Sequence, residues 1–339
     1  RDVERSRGLG DVYKRQLLGY GIVEQQGTQN PEEDETTCRT LTTEDLISEE
    51  LLLPQSEETQ QTALIPESVE ATAGTALSNF RPAVQQVQID RTQLTDYETL
   101  VRNFYAIDAN TMAGSDQLSV EKLLGMDMTL PQEGDGPQIL IYHTHSQEAF
   151  ADSVPGDVNT GIVGVGECLT KILTEQYGYR VLHNTGQYDV ETRDNAYSRA
   201  LPAVEQILAE NPSIQVIIDL HRDEVAEETK LVTDIQGRPT ARFMFFNGLS
   251  RTRKTGDIDY LANENQEANL AFSFQMQLKA AEYYPGLTRR IYLKGYRYNM
   301  HLRPRTLLVE LGAQNNTVEE AINACDPLAH ILDMVLKGE

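Results

Sequence analysis

Three apolar segments, each ending in residues that bind metals or move protons, constrain this chain most. Ile139-Leu140-Ile141-Tyr142 runs straight into His143-Thr144-His145-Ser146-Gln147-Glu148. Val216-Ile217-Ile218 leads to Asp219-Leu220-His221-Arg222-Asp223, and Leu307-Leu308-Val309 leads to Glu310-Leu311-Gly312. Short, nearly continuous apolar runs suit strands buried on both faces, as in a parallel sheet covered by helices. Ligand sites in such sheets gather at the carboxyl ends of strands, where side chains are held rigidly beside a crevice. Three strand ends, each bearing a metal-type ligand, point to a zinc hydrolase.

The segments between them alternate in period. Helical spacing predicts a helix opening at Asp96, a short one over 119–124, and longer ones over 163–176, 196–210, 263–284 and 318–336. Strands are expected at 179–183, 214–220, 240–247, 289–294 and 306–311. The alternation predicts an α/β fold, a mostly parallel sheet with helices on both faces.

Composition divides the chain. Residues 31–70 hold 12 Asp and Glu against one basic residue, Arg39. Such a stretch cannot bury enough apolar surface to offset its ordering entropy. The segment 17–91 is therefore read as a disordered acidic linker, 92–339 as the folded domain, and the Arg-rich 1–16 as non-native sequence. The net charge of -23 argues against nucleic acid and anionic membrane as partners. Cys38, Cys168 and Cys325 are widely spaced, without the CxxC pairing of a zinc site or a disulfide framework. No apolar run reaches the ~18 residues a membrane span needs.

A catalytic zinc takes three protein ligands and leaves a position for water. His143 and His145 from one strand end, His221 from another, and Glu148, Glu167 and Glu310 supply the donor types. Alternation along an extended backbone predicts that His143 and His145 share a side. Asp219 is placed to orient His221, and Arg222 to clamp an oxyanion or carboxylate. His183 and His330 read as surface or packing residues, and His301 as a residue at the edge of the cleft.

Taken together these segments resemble the stage II sporulation protein P family of peptidoglycan hydrolases. The matching text is Ile141-Tyr142-His143-Thr144-His145 with Glu148, Val163-Gly164-Val165-Gly166-Glu167, and Asp219-Leu220-His221-Arg222-Asp223. Arg242-Phe243-Met244-Phe245, residues 263–269, Arg297-Tyr298-Asn299 and Leu308-Val309-Glu310-Leu311-Gly312 follow in the family's order. The resemblance implies a zinc amidase-like catalytic domain over 92–339 that cleaves the N-acetylmuramoyl-L-alanine amide, with activity toward peptide cross-links also linked to the family. It implies Zn2+ held by His145, Glu167 and His221, with Glu310 as general base and acid and Arg222 assisting. His143, Glu148, Asp219 and Glu267 stand as supporting or alternative ligands. It further implies peptidoglycan as substrate, and a sporulation membrane complex with a lytic transglycosylase as partners. The location it implies is extracytoplasmic, with a membrane anchor absent from this chain and the acidic segment as spacer. Residues 246–250 and 263–267 and the polar insertion 251–259 depart from the family pattern, which bears on the substrate groove. Two other readings stand beside it: a metal-dependent phosphoesterase, which also opens on His-x-His, and an inactive wall-binding scaffold.

Overall fold

The computed structural model describes residues 80–131 and 134–339. The expectations for 1–16, for most of the acidic linker and for Cys38 lie outside the described residues. The strands are β1 (Tyr105–Ile107), β2 (Ile139–Tyr142), β3 (Val181–His183), β4 (Val216–Asp223), β5 (Val232–Ile235) and β6 (Arg238–Ala241). They continue with β7 (Phe243–Gly248), β8 (Arg251–Thr252), β9 (Gly256–Asp257), β10 (Ile291–Lys294) and β11 (Arg305–Ala313). The helices are α1 (Tyr97–Phe104), α2 (Val120–Gly125), α3 (Ile162–Glu175), α4 (Ala196–Glu210), α5 (Gln266–Tyr283) and α6 (Val318–Lys337).

Seven strands form one sheet in the order β1-β10-β7-β11-β4-β2-β3. Every pairing in it is parallel except β11 with β7. This is the expected α/β architecture with a mostly parallel sheet. The apolar runs are central, as burial on both faces requires. Ile139, Ile141, Val216, Ile218, Leu220, Leu307, Val309 and Leu311 share one core cluster with Leu169 and Leu173 of α3, Phe274 of α5 and Leu328 and Leu332 of α6. The opposite face of β2 and β4 (Leu140, Tyr142, Ile217) packs on Ala200, Val204 and Leu208 of α4. Each such Leu or Ile side chain contributes roughly 1.5–3 kcal/mol by leaving water.

Local chemistry sets the helix ends. Asp96 caps α1 by accepting from Thr99 N at 2.8 Å. Thr317 and Glu320 form a reciprocal capping box at the start of α6, and Gly338 closes it in the left-handed region.

The structure differs from the sequence reading in places. The single strand expected over 240–247 is broken at Arg242: β6 pairs with β5 in a separate hairpin, and β7 joins the main sheet. The hairpin turns through Gln236 and Gly237, both with positive φ (59° and 78°), which suits the twist of a two-residue connection. The insertion 251–259 forms a second small hairpin, β8 with β9. Packed chain also begins before residue 92. Gln86 and Val87 donate their amides to Glu282 O (2.8 and 3.0 Å), and Phe80 stacks on Tyr284 at 6.3 Å. Among the described residues no helix is long and apolar enough to cross a membrane.

Candidate active site

Strand register assembles the site. Tyr142 on β2 pairs with Asp219 on β4, and His221 on β4 pairs with Glu310 on β11. Ile217 and Leu308 belong to clusters on the α4 side of the sheet. By alternation Asp219, His221 and Glu310 point to that same side. One face thus changes from apolar to ionisable toward the carboxyl ends of the strands.

His221 sits at the centre. Its Nε2 lies 2.8 Å from Asp219 Oδ1 and its Nδ1 lies 3.6 Å from Glu148 Oε2. Burial alone would discharge this imidazole, but the two flanking carboxylates raise its pKa well above the ordinary value. His145 stands edge-on to it, ring centroids 5.2 Å apart, with Asp189 Oδ2 at 3.8 Å from its Nδ1. Burial lowers the pKa of His145, with Asp189 opposing. Asp219 also receives the Thr144 amide and hydroxyl at 2.9 and 2.7 Å, which fixes the turn carrying His145.

Glu148 is 2% exposed yet remains ionised. Burial works against its charge, but His221, Arg193 and His145 outweigh it. Arg193 Nη2 donates to Oε1 at 2.8 Å and the Arg222 amide donates to Oε2 at 2.8 Å. Glu310 behaves oppositely. Burial, with Asp223 and Glu148 nearby, pushes its carboxyl up to about 8. Two carboxyls in one cluster with pKa values pushed in opposite directions is the arrangement that divides a fixed anion from a proton carrier.

The two histidines of the first strand end do not share a site. β2 stops at Tyr142, so His143 and His145 lie in a turn where strand alternation no longer applies. His143 Nδ1 bonds Leu220 O (2.8 Å) and its Nε2 faces His183 Nε2 (2.9 Å). His183 in turn bonds Glu167 through Nδ1 at 3.0 Å. His183, read from sequence as a surface or packing residue, is therefore the centre of a second line of groups that runs from the buried His143 to the surface. Glu167 belongs to that line: it lies in the second turn of α3, its side chain is 73% exposed, and its carboxylate is on His183. Glu267 is exposed in the first turn of α5, whose apolar residues pack on the other face of the sheet. The Arg222 guanidinium donates to the carbonyls of Ala149 and Asp223 (3.0 and 3.2 Å). His330 bonds Tyr284 as a packing residue (2.6 Å), and His301 lies in the turn 300–302.

Three contributors escaped sequence reading. Arg193, just before α4, reaches Glu148 across 45 residues, and Tyr197, in the first turn of α4, stands edge-on to His145 at 5.6 Å and stacks on His221 at 6.4 Å. Asp189 accepts from Ser146 Oγ at 2.7 Å. Nothing in their local sequence marks them. Only the return of the chain past the sheet end does so.

As a metal site, the donor set has the right chemistry: two imidazoles and an ionised, buried carboxylate, Glu148. His145 Nδ1 and His221 Nε2 are buried without a hydrogen bond. His221 Nε2 and Asp219 Oδ1 are close but lack hydrogen-bond alignment. Among the described residues, no three such side chains are arranged as a coordination sphere. The residue types fit a zinc ion; the assembled geometry is that of a charge-paired cluster.

The stage II sporulation protein P family model matches residues 12–333, and the chain belongs to that family. It is 26% identical over 217 residues to the stage II sporulation protein P of Bacillus subtilis (strain 168), a match covering 58% of this chain and 51% of the relative. The chain thus spans about half the length of the curated relative it matches. Among solved structures it is similar to N-acetylmuramoyl-L-alanine amidase AmiC2 of Nostoc punctiforme, at 13% identity, 60% of this chain, 97% of that one and a TM-score of 0.36. It is also similar to the CwlD amidase from Clostridioides difficile in complex with the GerS lipoprotein, at 13% identity, 59% and 95% coverage and a TM-score of 0.34. At those scores the α/β architecture rests on this chain's own sheet.

Proposed function

We propose that this member of the stage II sporulation protein P family is a zinc-dependent peptidoglycan hydrolase that cleaves the N-acetylmuramoyl-L-alanine amide. The observation that carries the reading is the register pairing of His221 with Glu310 beside His145 and Glu148, four groups of hydrolytic chemistry at one end of the sheet. Zinc would be held by His145, His221 and Glu148, and when bound it supplies Lewis acidity and a water acidic enough to ionise near neutral pH. The residues do the rest. Glu310, with a pKa near the working pH, takes a proton from the attacking water and returns it to the leaving amine. Asp219 fixes the His221 ring, and Arg193 holds Glu148 in place as an anion. Tyr197 walls the imidazole pair.

The substrate is the stem-peptide amide of the wall, with cross-link cleavage as a further activity. The acidic segment serves as a spacer from an extracytoplasmic membrane anchor, beside a sporulation complex and a glycan-cleaving partner. The test is incubation of the full chain with bacterial sacculi and mass spectrometry of the products. Wild type, a chelator-treated sample and Glu310→Gln run in parallel. Stem peptides with a free L-alanine amine, found only with the untreated wild type, are expected. Products unchanged by the chelator or by Glu310→Gln would overturn the assignment.

A further inference from the structure

Cys168 and Cys325 play no part in the site described above, and they meet. Cys168 lies on α3 and is half-buried, while Cys325 lies on α6 and is fully buried. The Cys325 Sγ lies 3.5 Å from Val165 O, in the turn of α3 just before Cys168. The two thiols lie close enough across the α3–α6 interface for each to shift the other's ionisation, Cys168 downward and Cys325 upward. Leu169 and Leu173 of α3 and Leu328 and Ala329 of α6 beside them belong to the apolar core, with Asp326, Arg238 and Lys171 as the charged neighbours.

We propose that Cys168 and Cys325 are a cross-linking site: a dithiol that a small-molecule disulfide converts to an intramolecular disulfide bolting α3 to α6. Exposure divides the roles. Cys168, reachable from solvent and favoured as the thiolate by the neighbouring Cys325 thiol, attacks one sulfur of the external disulfide and expels a thiolate. Cys325 then loses its proton, attacks Cys168 Sγ in the mixed disulfide and releases the second external thiol. Two protein thiols lose two protons and two electrons, and the external disulfide gains them to become two thiols.

The bond would brace one wall of the candidate site. α3 begins where the Ile162 amide bonds Glu148 O (2.9 Å), and it carries Glu167, which bonds His183. Joining residues 168 and 325 also closes a long loop of the unfolded chain, which favours the folded state.

The test uses the full chain with Cys38→Ser, so that only this pair remains, treated with glutathione disulfide. Both thiols are expected to disappear together, with peptides containing Cys168 and Cys325 linked in the mass spectrum. The melting temperature is expected to rise by at least about 5 °C and to fall back on reduction. In Cys325→Ser, and in Cys325→Ala should serine fail to fold, the glutathione adduct should remain trapped on Cys168. A persistent adduct on Cys168 while Cys325 is present would overturn the proposal. So would two unreacted thiols where the urea-unfolded chain reacts, or a cross-linked form that melts lower than the dithiol.

Discussion

Glu148→Gln and Glu167→Gln, compared side by side, give the sharpest test of how the site is built. Glutamine keeps the shape and removes the charge. At Glu148 the carboxylate is 2% exposed and bound by Arg193 and the Arg222 amide, with His221 at 3.6 Å. Breaking a buried pair costs roughly 3–5 kcal/mol when the partner is left buried and charged. Here the Arg193 side chain is 54% exposed, so water recovers part of its loss. The Asp219 carboxylate also still faces His221. The expected cost is therefore about 2 kcal/mol. At Glu167 the carboxylate is 73% exposed and its bond to His183 is a surface interaction, so less than about 1 kcal/mol is expected. Urea unfolding of the chelated full chain measures both. Zinc competition against a chromophoric chelator gives the second readout, with a loss of at least about 100-fold for Glu148→Gln and little change for Glu167→Gln. The reverse ranking in either assay would refute the placement of Glu148 at the centre of the site.

Other consequences are local. Gly166→Ala would put a Cβ 2.6 Å from His143 Nε2 and 2.8 Å from His183 Nε2, two rings with no room to retreat. A loss of about 1–3 kcal/mol is expected in chemical denaturation, and a neutral result would mean the two rings are not packed on α3. Thr317→Ala removes one arm of the capping box and should lower stability by about 1 kcal/mol, read as a reduced unfolding midpoint. His301 is held at about 4 by burial, with Arg297 adding to the effect, below its ordinary 6.5. Its contribution to stability is full above pH 6.5 and is lost as pH falls toward 4, because the unfolded chain takes up the proton first. Thermal melts between pH 7 and 5 should therefore show a shallower decline for His301→Gln than for wild type.

Much of the fold was legible before any coordinates. The runs at 139–142, 216–218 and 307–309 are apolar on both alternating faces, and such strands have few places to go except the middle of a covered sheet. The helices over 163–176 and 196–210 were equally plain, because period and end signals agree there. The break at Arg242 was not, since apolar alternation continues across it and only pairing with β5 or with β11 separates the two halves. His145, His221 and Glu310 were legible because each follows an apolar run closely, His145 just past β2 and the other two within β4 and β11, and parallel strands bring such positions together.

What sequence could not decide was the partner of each ligand. His143 and His145 are two residues apart, yet a strand that stops at Tyr142 sends one to His183 and the other to His221. Glu148 and Glu167 are both carboxylates near the first strand end, and the turn at 143–147 together with Arg193 draws the first into the cluster while α3 turns the second outward. The sequence alone determined the kind of sheet and the groups at its carboxyl edge, because periodicity and residue chemistry are local properties. The tertiary structure decided which groups face one another and with what charge. Those depend on distances of a few ångströms and on burial, and both are set by chain segments far apart in sequence.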